Sequence, residues 1–333
     1  MDALGAEASA PETIVPRGSR HKVILAGIVG NVLEWYDFAV YGFFAPVIAQ
    51  QFFPDADPVA SLIAAYGAFA AGFIARPFGG AIFGHIGDRY GRKMALTLSV
   101  LLMAIPTFLL GLLPNYADWG VASTVLLIAL RMLQGLSVGG EYTTSTVFLV
   151  EQAPFGKRGF YGSWSNAGVV IGVLVGSGFG ALIYGLLPDA AIQSWGWRVP
   201  FIVGLFVGIG GIFLRRHVVD APVSEDVKRD ASPVVVAFRD EFPAMLKVIG
   251  FALTDAVGFY LIFVYMTTFL IDQVKVPATD AFDINTGSMV ILAALVPLAG
   301  ILSDKIGRKP VMLVATGGIA LLSWPLLWMM HHT

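Results

Sequence analysis

The 333 residues are 56% hydrophobic and only 13% charged, with a mean hydropathy of +0.75, which excludes a soluble globular domain. The chain has no cysteine, so disulfides, thiol catalysis and iron–sulfur clusters are excluded, and its five histidines are too scattered to form a metal site within the apolar stretches. A formal net charge of −2 singles out no charged partner and no nucleic acid.

Residues 1–20 are small, polar and proline-containing, without the apolar core of a signal peptide, and read as a cytoplasmic N-terminal tail. Nine apolar stretches follow, at about 23–49, 60–84, 94–113, 121–149, 160–186, 197–215, 248–271, 286–303 and 311–330. At about 1.5 Å per residue, each is long enough to span a bilayer core of roughly 30 Å. The predicted fold is therefore all-α, a multi-pass protein whose surroundings are lipid. Of its 21 Lys and Arg residues, 17 fall in the N-terminal segment and in every second loop, which predicts a cytoplasmic N-terminus in a cell (inner) membrane. The charged, proline-containing stretch 216–247 reads as a cytoplasmic linker, with Val234 to Leu246 able to form an interfacial helix.

One ten-residue stretch occurs twice. Gly84-His-Ile-Gly-Asp88-Arg89-Tyr-Gly91-Arg92-Lys93 returns 216 residues later as Gly300-Ile-Leu-Ser-Asp304-Lys305-Ile-Gly307-Arg308-Lys309. Repetition over such a distance implies duplicated halves. Each copy lies between two apolar stretches and reads as a tight cytoplasmic turn in which glycines permit the bend.

Charges inside the membrane are expensive, about 2.5 to 3.5 kcal/mol each on insertion scales, and so point to function. In the first stretch Asn31, Glu34, Asp37, Phe38 and Tyr41 share one helical face; in the fourth, Arg131, Gln134, Ser137, Glu141 and Ser145 do. Helix rise places Glu34 at about 17 Å from the cytoplasmic end, Arg76 at about 12 Å, Arg131 at about 15 Å and Asp255 at about 10 Å. Acids and bases at similar depth suit either a proton-coupled switch or a static ion pair that orients helices. Gly168, Gly172, Gly176 and Gly180 form a ridge for close helix packing. Trp195 to Phe201 reads as an aromatic anchor at the outer interface, while Trp35, Tyr36, Tyr260 and Tyr265 could enclose a quaternary amine.

The repeated Gly-x-x-x-Asp-Arg-x-Gly-Arg-Lys loop resembles that of the major facilitator superfamily, whose fold pairs two six-helix halves. Gly30-Asn-Val-Leu-Glu34-Trp-Tyr-Asp37-Phe, Arg76-Pro-Phe-Gly-Gly, Arg131-Met-Leu-Gln134-Gly-Leu-Ser-Val-Gly-Gly-Glu141-Tyr and Trp195-Gly-Trp-Arg198-Val-Pro-Phe are similar to its metabolite:proton symporter family, in particular to the proline/betaine and α-ketoglutarate carriers. The resemblance implies a non-enzymatic, cofactor-free symporter, a monomer when complete, that moves a small polar metabolite with protons by alternating access. Helical faces and depth make Asn31, Glu34, Asp37, Tyr41, Arg76, Arg131, Gln134, Glu141 and Asp255 the candidates for proton coupling and the substrate cavity; the resemblance gives the coupling role to Arg131, with Glu34 and Asp37 as its protonated partners. Gly84, Asp88, Arg89, Gly91, Arg92, Lys93, Gly300, Asp304, Lys305 and Arg308 become a cytoplasmic gate. The implied organisation is a tail (1–20), a six-helix bundle (21–215), the linker (216–247) and the first three helices of a second bundle (248–333). Against a twelve-helix fold the chain reads as truncated, and a non-transporting membrane partner is the alternative.

Overall fold

The computed structural model describes residues 20–55, 57–216, 238–260, 262, 266, 269–270 and 274–332. Nine long helices occupy them: α1 (Arg20–Phe52), α2 (Pro58–Tyr90), α3 (Arg92–Leu112), α4 (Val121–Glu151), α5 (Arg158–Leu186), α6 (Arg198–Arg216), α7 (Phe242–Tyr260), α8 (Ala278–Ile306) and α9 (Arg308–His332). Seven are long and apolar enough by themselves to cross a membrane, and Asp189–Gly196 with Arg198–Leu214 reach that length and apolarity only as a pair, bent by 47°. The seventh expected stretch, 248–271, is only partly described, as α7. The expected tail and most of the expected linker lie outside the described residues.

Helix ends follow local chemistry. Asp57 accepts a hydrogen bond from the Val59 N–H at 2.8 Å, and Pro58 opens α2, where its missing N–H costs nothing. The expected ten-residue turns are shorter than the motif suggested. α2 continues through Tyr90 and α3 begins at Arg92, so the reversal is Gly91 alone, at φ 98°; its repeat, Gly307 at φ 91°, separates α8 from α9. Both backbones sit where a side chain would be strained, which is why glycine stands there. Gly84 and Gly300, at the start of each motif, are helical.

The first six helices pack in pairs. α1 lies along the glycine ridge of α5: a Cβ at Gly172 would sit 2.6 Å from the Val32 oxygen, and one at Gly176 2.6 Å from the Tyr36 oxygen. The ridge is thus a packing surface, as expected from its spacing. A second glycine contact joins α2 to α4. Cβ atoms built at Gly79, Gly135 and Gly139 would each fall 1.9 Å from a backbone oxygen of the facing helix, on Leu136, Gly72 and Arg76 respectively. α3 lies against α4 and α6. Near the motif end, Val23, Ile24, Leu96, Phe148, Leu149 and Tyr161 form an apolar cluster; at the opposite end Tyr36, Phe44, Phe52, Trp197 and Phe201 form the larger one.

At that opposite end Trp197 is 0% exposed, edge-on to Phe52 and Phe201 at ring distances of 5.8 and 6.0 Å. The expected interfacial anchor is therefore a core residue, and Trp195, 51% exposed, is the ring left outside. Arg198 stacks beside Trp197 and donates to Gly111 O at 3.0 Å, Leu113 O at 2.6 Å and Asn115 Oδ1 at 2.6 Å. The Gly111 and Leu113 oxygens are backbone carbonyls at the C-terminal end of α3, where intrahelical donors run out. The second part of the chain meets the first mainly where α8 runs along α5; none of the described side chains of α9 is buried.

Candidate functional site

A polar cluster lies inside the first six helices, where α1, α3 and α4 meet. Asp37 is 0% exposed and Arg131 2%. Arg131 Nη1 donates to Asp37 Oδ2 at 2.5 Å and to Gln134 Oε1 at 2.6 Å. Gln134 Nε2 donates to Asp37 Oδ1 at 2.9 Å and to Thr107 Oγ1 at 2.8 Å. Thr107, on α3, stands 3.0 Å from Asp37 Oδ1 and 2.8 Å from the Met103 carbonyl one turn back. The Gln134 amide has a defined orientation: guanidinium is only a donor, so the oxygen must face Arg131 and both N–H groups must face away. The guanidinium also lies over the Tyr41 ring, Cζ to centroid 3.9 Å, and Tyr41 donates its hydroxyl to Ala65 O at 2.8 Å. Cation–π contact and a charge-assisted hydrogen bond together hold a cation that is costly in an apolar interior.

A second charged group lies beside it. Glu34, also 2% exposed, feels the charges of Arg76, Glu141 and Asp37. Arg76, on α2, holds its guanidinium over Phe73 at 3.8 Å and Phe38 at 4.9 Å. Glu141 is buried on α4. Of the acids and bases that the sequence placed at similar depth, Arg131 is paired with Asp37. Phe38 is near both guanidiniums, with Arg131 Cζ 6.0 Å from its centroid. Asp255 is on α7, and its side chain lies outside the described residues.

Not every residue on the two stripes joins the ion pairs. Asn31 donates to Ser145 Oγ at 3.2 Å, Ser165 O at 3.1 Å and Ser165 Oγ at 3.0 Å, while Ser145 donates to Gly27 O at 2.7 Å. Hydrogen bonds of this kind tie α1, α4 and α5 where hydrophobic forces between helices are weak. Tyr36 is also taken: its hydroxyl donates to Pro200 O at 2.8 Å and its ring packs edge-on to Phe179, so it does not belong to an amine cage. Trp35 contacts Phe38 and, across to α7, Phe259 at 6.1 Å. The side chains of Tyr260 and Tyr265 lie outside the described residues. Thr107 is absent from the residues the sequence singles out; it shares its apolar stretch with Thr97 and Ser99, and its place after Pro106 is the one local signal.

The two repeated motifs have different partners. Asp88 receives Arg92 at 2.6 Å within its own motif, and Arg92 Nε lies 3.6 Å from Glu151 on α4. Asp304 instead crosses from α8 to the start of α5, accepting from the N–H groups of Gly159 at 2.7 Å and Phe160 at 2.8 Å. Those amides are the unpaired donors of a helix N-terminus, where a carboxylate is favoured. A Cβ at Gly300 would sit 2.6 Å from Ser163 Oγ and 2.7 Å from Gly159 O, so this glycine serves the same contact. Gly84 faces open space. Lys93 Nζ donates to Arg216 O at 3.1 Å, and Arg89, Lys305 and Arg308 are exposed.

Residues 27–332 match the family profile of the Major Facilitator Superfamily. The chain is 37% identical to the glycine betaine/proline/ectoine/pipecolic acid transporter OusA of Dickeya dadantii, and 35% identical to the proline/betaine transporter of Escherichia coli K12. Both matches cover 94% of this chain and 65% of the relative, so the chain spans about two thirds of their length. Among solved structures, the proton:xylose symporter XylE bound to 6-bromo-6-deoxy-D-glucose shares the fold with a TM-score of 0.70 at 19% identity, over 91% of this chain and 73% of that one. Paired helices, two copies of one motif and a buried acid–base cluster are thus the features of a multi-pass protein that belongs to the Major Facilitator Superfamily.

Proposed function

We propose that the chain is a proton-coupled symporter for a small polar metabolite, working by alternating access, with no enzymatic step. The observation that carries this is the Asp37–Arg131 pair, buried at 0% and 2% exposure and hydrogen-bonded through Gln134. A proton arriving on Asp37 removes the charge that holds Arg131, and the freed guanidinium can then take a new partner. The movement changes the packing of α1 against α4, which is the step a rocking transporter needs. Glu34, Arg76 and Glu141 form the adjoining charged surface of the substrate cavity, with Asn31 and Tyr41 supporting it and Asp255 contributing from the second half. Proline or betaine, which the relatives' names describe, or a small carboxylate fits such a surface, because each presents a carboxylate that a guanidinium can bind. Those same names lend no support to a non-transporting partner role.

The motif residues act in this reading as the cytoplasmic gate, and Asp304 on the start of α5 represents its closed position. The gate divides residues 21–215 from 248–333, joined by a linker at 216–247, in a cell membrane with the N-terminus inside. Because the chain lacks cysteine, Asp88→Cys tests the orientation directly; reaction with an impermeant thiol reagent outside intact cells would reverse it. The function is tested in proteoliposomes holding the 333-residue chain. An inward proton gradient should drive proline or betaine uptake, and Arg131→Ala should abolish the proton-driven part. Full coupling in that variant, or no uptake by the unmodified chain, refutes the proposal.

A further inference from the structure

We propose that Thr107 is the positioning residue that lets Asp37 hold its proton, on Oδ1, without rearranging the rest of the cluster. The inference rests on the proton-coupling reading and adds to it a residue and an atom. The reasoning is an account of donors and acceptors. A hydroxyl has one hydrogen and two lone pairs. Thr107 Oγ1 has three neighbours: Gln134 Nε2 at 2.8 Å, which can only donate to it, and two acceptors, Asp37 Oδ1 at 3.0 Å and Met103 O at 2.8 Å. Its single hydrogen can serve one acceptor at a time.

With Asp37 ionised, the hydrogen goes to Oδ1, and the carboxylate receives Arg131, Gln134 and Thr107. With a proton on Oδ1, the direction reverses. Asp37 donates to Thr107, Thr107 turns its hydrogen to Met103 O, and its second lone pair still receives Gln134. Every group about Thr107 is satisfied in both states, with only a hydroxyl rotation between them. Oδ2 offers no such route, because a proton there would point at Arg131, which has hydrogens and no acceptor. Among the described residues, Asp37 faces Arg131 and Gln134 from α4 and the uncharged Thr107 from α3, with Glu34, Tyr36 and Tyr41 the ionisable groups near it on its own helix. A threonine bonded only to its own helix would be an ordinary local contact. Here the same oxygen also touches two buried side chains from two other helices.

The test compares Thr107→Val, of nearly the same shape, with Thr107→Ser, which restores the hydroxyl. Infrared difference spectra of the purified chain, recorded as pH is stepped, report the carbonyl stretch of a protonated carboxylic acid, and Asp37→Asn identifies the band by its loss. The band should move to higher frequency in Thr107→Val, where the acid has lost its acceptor, and stay in place in Thr107→Ser. In proteoliposomes, proton-driven uptake should fall about tenfold in Thr107→Val through kcat rather than KM, the size of one hydrogen bond to a charged group. Proton-independent exchange should persist. An unshifted band in Thr107→Val overturns the proposal whether or not the chain transports. Absence of uptake by the unmodified chain, with the band shifted, overturns the symport reading and leaves Thr107 as the partner of Asp37.

Discussion

Substituting Gly135 by alanine asks how much depends on the contact between α2 and α4. The added Cβ would lie 1.9 Å from Gly72 O, 2.6 Å from Gly72 C and 2.8 Å from Gly72 Cα. All three atoms are backbone, so no side chain can turn aside, and real Cβ contacts below 3.0 Å essentially do not occur. The helices must therefore part by about 1 Å, which takes Gly139 off Arg76 O and Gly79 off Leu136 O as well. Overpacking in a well-filled interior costs about 1 to 3 kcal/mol, and loss of the neighbouring contacts puts this case near the upper end. Arg131 is one turn from Gly135 and Arg76 lies between Gly72 and Gly79, so the same opening displaces both guanidiniums. Thermal unfolding of the detergent-purified chain should show a loss of about 3 kcal/mol, with proton-driven uptake reduced by roughly tenfold or more. Gly67→Ala on α2, where a Cβ meets open space, should be neutral or slightly stabilising. If Gly135→Ala melts with Gly67→Ala, the close approach of these backbones has no energetic weight and the reasoning fails.

Two further substitutions probe the ends of the bundle. Arg198→Ala removes all three hydrogen bonds to Gly111, Leu113 and Asn115. It should lower stability by roughly 2 kcal/mol, detected as earlier exchange of the amides at the C-terminal turn of α3; unchanged protection there would show that water replaces the guanidinium at no cost. Asp304→Leu removes the acceptor for Gly159 and Phe160 at the start of α5, a cap worth about 1 kcal/mol. A cysteine placed at Ser163, beside Gly300, should then react about fivefold faster with a soluble thiol reagent, and an unaltered rate would mean that α8 stays seated without its carboxylate.

The all-α, multi-pass character was legible in the sequence, because bilayer thickness sets a minimum apolar length; of the nine stretches expected, seven form helices long and apolar enough to cross a membrane among the described residues. The duplicated motif pointed to a repeated architecture in the same way. Candidate residues were visible too: Glu34, Asp37, Arg76 and Arg131 stand out because a charge in an apolar run has no inexpensive place to be. Pairing was a different matter. Helical period told which residues of α1 share a face, but not how far each helix is rotated toward its neighbours, and that rotation gives Asp37 to Arg131. The same limit hid Thr107, whose importance comes from Asp37 and Gln134 on two other helices. It also hid the glycine contact of α2 with α4, since small residues permit a close approach without naming the partner. The motif itself was readable as a bend, yet only the folded chain reduced that bend to Gly91 and Gly307. It likewise moved Trp197 from an interfacial anchor into the core, because burial is decided by which helices pack together, and sequence distance carries no record of that.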